Sequence, residues 1–80
     1  MTPVNFNQLY YFYLVAKEGS IARVSEQLHV TAQTISGQLA ALEHSTGTAL
    51  FVRSGKKWAL TELGRVTYRY AEDIFRLGDE

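Results

Sequence analysis

SIARVSEQLHVTAQTISGQLAALE, residues 20–43, sets the fold of this chain. The stretch predicts two short amphipathic helices joined by a tight turn at Leu28-His29-Val30-Thr31. Ser20 can cap the first helix, and Ile21, Val24 and Leu28 recur along it at helical spacing. Thr31 can cap the second, whose apolar side carries Ile35, Leu39 and Leu42. Polar Gln33, Thr34, Ser36 and Gln38 stand between those apolar positions. Two helices around so short a turn form a helix-turn-helix, the second helix being the one that enters a DNA major groove. Any small helical protein can contain such a hairpin, so the spacing alone leaves both readings open.

The flanking sequence extends the pattern. Asn5 and Gln8 open a preceding helix of about three turns, with Phe6, Leu9, Phe12, Tyr13, Val15 and Ala16 recurring three to four apart and Gly19 at its end. Tyr10, Tyr11 and Tyr13 cannot all face inward; Tyr10 is either partly exposed or part of a subunit interface. The second helix of the hairpin continues to His44 or Ser45, with Gly47 as its C-cap. Gly37 inside it costs about 1 kcal/mol relative to alanine. Either the helix backbone approaches something bulky there, or a well-packed helix tolerates the loss.

Beyond Gly47 the pattern changes to two short apolar runs, 48–53 and 58–61, around Ser54-Gly55-Lys56-Lys57. This predicts a β-hairpin, which after a helix-turn-helix is a wing. Arg53, Lys56 and Lys57 would then lie near a phosphate backbone and hold a duplex in register without reading its bases. Trp58 is expected as a core anchor beneath the hairpin. From Thr61, a cap, a last helix carries Leu63, Val66, Tyr70, Ile74 and Leu77 along one side. At roughly 1.5 Å per residue it exceeds 20 Å, so only its start is expected to pack on so small a domain. The remaining stripe calls for a partner, most simply a second copy.

Composition bounds the function. Eighty residues make one small domain, and 46% hydrophobic with 12% aromatic residues suffice for a core. Eight basic and eight acidic groups cancel, yet residues 31–60 hold Arg53, Lys56 and Lys57 against Glu43 alone, while residues 61–80 are net acidic. A positive tip suits a module that touches a polyanion at one end. There is no cysteine for a disulfide or thiolate zinc site. With no long apolar run and no signal-peptide order, a soluble, cytoplasmic chain without membrane contact is expected. Leu77-Gly78-Asp79-Glu80 ends without an evident stop, as in a domain cut from a longer protein. His29 and His44 are the only histidines. Glu26 and His29 have no third metal ligand near them, and His29 fits a turn position of positive φ. No catalytic, cofactor or metal constellation emerges, which argues against an enzyme.

Four motifs in order carry a family resemblance over essentially all of the chain. They are Ala16-Lys17-Glu18-Gly19-Ser20, Leu42-Glu43, Leu50-Phe51-Val52-Arg53 and Leu60-Thr61-Glu62-Leu63-Gly64. Their spacing resembles the N-terminal DNA-binding domain of LysR-type transcriptional regulators. LYYFYLVAKEGSIARVSEQL and TAQTISGQL look most like the branch that contains regulators of sodium/proton antiporters. The resemblance implies a mainly α, winged helix-turn-helix fold: residues 1–60 as the DNA-binding domain, with a two-stranded β-hairpin wing, and 61–80 as a linker or dimerisation helix. It implies base-edge contacts from Ala32, Gln33, Ser36 and Gly37, and backbone contacts near Thr31, Thr34, Gln38 and Arg53. The implied partners are promoter or operator DNA and a second copy of the chain. The full-length protein would be dimeric or tetrameric, with a small-molecule or ion effector. Two positions depart from the common family pattern. Gln33 replaces proline and adds a side chain able to read adenine, while Gly37 replaces arginine and removes a guanine-reading fork. Val24 and Ser25 stand where paired alanines are usual. A winged-helix module for protein–protein assembly is the alternative, motivated by zero net charge and the tyrosine-rich first helix.

Overall fold

Local capping chemistry decides where the helices start and stop in this computed structural model, which describes residues 5–54 and 57–79 without the side chains of 54, 57 and 77–79. Helix α1, Phe6–Glu18, begins where the Asn5 side chain accepts from the N–H groups of Asn7 and Gln8 at 2.9 and 3.2 Å. It ends at Gly19, whose φ of 74° is left-handed. Helix α2, Ile21–Leu28, starts with the Ser20 hydroxyl accepting from Arg23 N–H at 3.2 Å. His29 terminates it at φ 57°, the expected turn role. The Ser25 hydroxyl donates to the Val30 carbonyl and closes the turn, so the polar group near the helix crossing is satisfied internally. Helix α3, Ala32–Thr46, opens on Thr31, whose hydroxyl accepts from Thr34 N–H at 3.1 Å, and closes on Gly47 at φ 73°. It outlasts the expected end by one or two residues.

Strands β1, Phe51–Ser54, and β2, Lys57–Leu60, pair antiparallel from Phe51↔Leu60 to Ser54↔Lys57. The hairpin is therefore shifted from its sequence reading. Ser54 and Lys57 belong to the ladder rather than the turn, and Gly55 and Lys56 lie outside the described residues. Residues 48–50 are not strand. Their polar groups are taken up by helices instead of a ladder: Leu50 N–H donates to the Glu43 carboxylate at 2.7 Å, and the Ala49 carbonyl accepts from the Thr61 hydroxyl at 2.8 Å.

Helix α4, Glu62–Asp79, is capped by Thr61, whose hydroxyl accepts from Gly64 N–H at 3.0 Å. It packs on α1 well beyond its start, contrary to the expectation from its length. Tyr13 stacks on Tyr68 with centroids 5.6 Å apart, Phe75 meets Tyr13 at 5.4 Å, and Tyr10 meets Phe75 edge-on at 5.1 Å. Gly64, Tyr68, Ala71 and Phe75 form this inward face, with Ala71 fully buried. The helix is apolar on two adjacent faces, and a periodicity argument sees the total without knowing which face meets α1. Of the stripe read from the sequence, Leu63, Val66 and Tyr70 are exposed, at 37%, 60% and 62%. Ile74 departs from it and packs partly buried against the core. Leu77 is helical, its side chain outside the described set.

The core joins all four helices and the hairpin, with Phe12, Val15, Val24 and Ile35 fully buried. Phe51 lies between Phe12 and Trp58, with centroid distances of 5.2 and 5.4 Å. Trp58 is half-buried beneath the hairpin, as an anchor should be. Among the described residues no buried side chain is polar or charged.

Candidate nucleic-acid interface

Helix α3 presents two different surfaces because one side is locked into the core. Ile35, Leu39 and Leu42 face inward at 0%, 5% and 2% exposure. The opposite side of its opening turns carries Ala32, Gln33, Ser36, Gly37 and Ala40, all exposed, with Gln38 half-buried at the margin. None of these side chains is charged, and among the described hydrogen bonds none involves the side chains of Gln33, Ser36 or Gln38. Thr31 and Thr34 differ: their hydroxyls lie 2.8 Å apart, and Thr31 also caps the helix. Their hydroxyls are committed to the helix entrance, leaving Gln33 and Ser36 as the groups with free donors and acceptors on the outer face.

Gly37 opens this face further. A Cβ placed there meets nothing within 4 Å. No part of the described chain therefore requires glycine at this position, and the close approach considered from the sequence has no partner within the domain.

Arg53 comes to the same side from the wing. Its guanidinium sits 5.0 Å from the centre of the Trp58 ring, a cation–π arrangement, on the paired residues Arg53↔Trp58. Arg53 and Trp58 line a shallow hollow together with Ala32 and Ser36 of α3 and Ser20, Ile21 and Ala22 at the start of α2. The first N–H groups of a helix have no partner within it, and the dipole makes this end positive. One cation, two helix openings and the outer side of α3 thus converge on one concave surface. Lys57 lies in β2 with its side chain outside the described residues, and Lys56 lies wholly outside them.

The start of α2 is a part of this surface that the sequence reading does not include. The available signal is Gly19-Ser20, a C-cap followed directly by an N-cap, which starts a fresh helix beside Arg53 and Trp58 of the wing. Glu43 has a structural role that its place in the sequence does not reveal. The Glu43 carboxylate accepts from both Leu50 N–H and Phe51 N–H, at 2.7 and 3.2 Å, and so ties the end of α3 to the root of the wing.

Residues 6–65 match the family model described as "Bacterial regulatory helix-turn-helix protein, lysR family". The chain is 46% identical over 80 residues to the transcriptional activator protein NhaR of Escherichia coli (strain K12), covering 100% of this chain and 27% of that protein. It thus spans about a quarter of the length of that curated relative. The structure resembles a CbnR DBD–DNA complex at TM-score 0.84 and 36% identity, covering 95% of this chain and 87% of that one. It also resembles a BenM DBD bound to catB site 1 DNA, at TM-score 0.87 and 26% identity, covering 95% and 84%.

Proposed function

The chain belongs to the LysR family of bacterial regulatory helix-turn-helix proteins, and from that premise we propose how it engages DNA. It is a sequence-specific, winged helix-turn-helix DNA-binding domain of a transcriptional regulator, not an enzyme. Helix α3, residues 31–45 as read from the sequence, enters the major groove. Gln33 and Ser36 read base edges there, and Ala32 and Gly37 let the helix approach closely. Thr31, Thr34 and Gln38 lie toward the backbone. The wing, residues 53–57, runs along the phosphates with Arg53, Lys56 and Lys57. The observation that carries this reading is the position of Arg53, which lines one hollow with Ala32 and Ser36. That placement favours DNA over an assembly module, for which the wing cation would stand apart from α3.

Anisotropy titration of a duplex from the promoter region beside its own gene tests the reading. At about 150 mM salt the promoter duplex should bind more tightly than a scrambled one, and affinity should fall as salt rises. Equal affinity would overturn specific readout, and salt-independent binding would overturn the phosphate role of Arg53. The exposed residues Leu63, Val66 and Tyr70 support pairing of α4 with a second copy, while Ile74, read from the sequence as part of the same stripe, packs against the core instead. Sedimentation showing a monomer at high micromolar concentration would overturn the pairing. The family resemblance extends the proposal to a cytoplasmic full-length regulator, dimeric or tetrameric, that responds to a small molecule or ion. Among the described residues no helix is long and apolar enough to cross a membrane.

A further inference from the structure

Residues 49–51, the root of the wing, are bonded from two sides. The N–H groups of Leu50 and Phe51 donate to the Glu43 carboxylate of α3. The carbonyls of Ala49 and Leu50 accept from Thr61, through its hydroxyl at 2.8 Å and its N–H at 3.0 Å. Gly64 closes the joint, since a Cβ there would lie 2.1 Å from the Leu50 oxygen. Leu50 itself is 1% exposed, so its polar groups have no ready exchange with water.

We propose that Glu43, about two turns beyond Ser36 along α3 and bonded to the wing root, is a positioning residue for DNA binding: it sets the wing against helix α3 and thereby places Arg53. The physical reason is leverage. Arg53 is two residues beyond Phe51 on a hairpin with only four pairs, Phe51↔Leu60 to Ser54↔Lys57. A change in direction at the root moves the guanidinium across the hollow it shares with Ser36. A carboxylate accepting two N–H groups on one oxygen, Oε2, fixes that direction by a charge-assisted pair of bonds. The inference rests on the DNA-binding reading above.

A double-mutant cycle with Arg53→Ala tests it, read as affinity and as salt dependence on promoter and scrambled duplexes. Arg53→Ala should reduce the salt slope by about 1 and weaken both duplexes alike, as loss of a phosphate contact does. Glu43→Ala should do the same from a distance. Adding Arg53→Ala to Glu43→Ala should then cost little more, because the contact is already lost. Glu43→Gln keeps a carbonyl oxygen to accept from the wing root and should restore affinity and slope toward wild type. Circular dichroism identifies the folded variants. If Glu43→Ala does not fold, Glu43→Asp, one methylene short of the wing root, carries the same cycle with the same expected result. Additive losses, or a folded Glu43→Ala or Glu43→Asp variant with wild-type affinity and slope, would overturn the inference while leaving DNA binding intact. A wild-type domain that binds neither duplex would overturn both.

Discussion

The two ends of helix α3 use the same kind of polar residue in opposite ways. At the closing end, Glu43 is bonded to Leu50 and Phe51, and Thr61 and Gly64 of α4 hold the same segment from the other side. At the opening end, Gln33 and Ser36 are exposed and hold no side-chain bond among those described. The backbone N–H groups of buried Leu50 and Phe51 must find partners inside the protein, whereas exposed, unbonded side chains such as those of Gln33 and Ser36 remain free for a ligand. The closing end is thus architecture, and the opening end is free to serve as the proposed interface. A helical glycine sits at each place, in opposite surroundings: Gly64 under a carbonyl, Gly37 in open space.

The contrast is tested most severely at Gly64. Gly64→Ala sets a methyl 2.1 Å from the Leu50 oxygen, so overpacking should destabilise the domain by roughly 3 kcal/mol or more in urea unfolding. Glu43→Ala leaves two N–H groups at the wing root without an acceptor and should cost about 1–3 kcal/mol, with Glu43→Gln closer to wild type. At the opening end the effects should leave stability and appear in binding. Gln33→Ala should stay within about 0.5 kcal/mol of wild type in stability. It should lose about 1–3 kcal/mol of discrimination at one base pair in titrations of substituted duplexes. Gly37→Ala sharpens the pairing with Gly64→Ala, since it should raise stability by up to about 1 kcal/mol. Destabilisation by Gly37→Ala would show that the opening end is under internal constraint after all.

The smallest effect belongs to neither end and serves as a control. Burial first, then the nearby Glu72 and Tyr13, raises the Tyr68 phenol above its ordinary value. The unfolded chain therefore releases that proton first, and stability should fall as pH rises from about 10 through the folded value. Tyr68→Phe should flatten this alkaline limb in unfolding curves without altering the contrast between the ends of α3.

The limits of the sequence reading follow from the range of the interactions involved. Helix ends at Asn5, Gly19, Ser20, His29, Thr31 and Gly47 were legible because a cap acts within about four residues. The start of β1 was not legible, because residues 48–50 answer to Glu43 and Thr61 rather than to their own apolar run. The stripe on α4 was half legible: Leu63, Val66 and Tyr70 lie on the exposed face, while Ile74 turns to the core beside Phe75. For the candidate interface, the residue types and register were present in the sequence. Which of them remain unbonded was not, since a hydroxyl such as Thr34 is withdrawn only by its folded neighbour.

The sequence by itself determined four helices, a hairpin, their order and the outer side of α3, because caps and periodicity are local and each residue carries its own part of the signal. The tertiary structure alone decided that α4 lies along α1 by its Gly64–Tyr68–Ala71–Phe75 side, that the wing is rooted on Glu43, and that Arg53 reaches Ser36's side of the domain. Those three outcomes depend on which apolar surfaces meet when burial is shared among elements distant in the chain, and no single stretch encodes that choice.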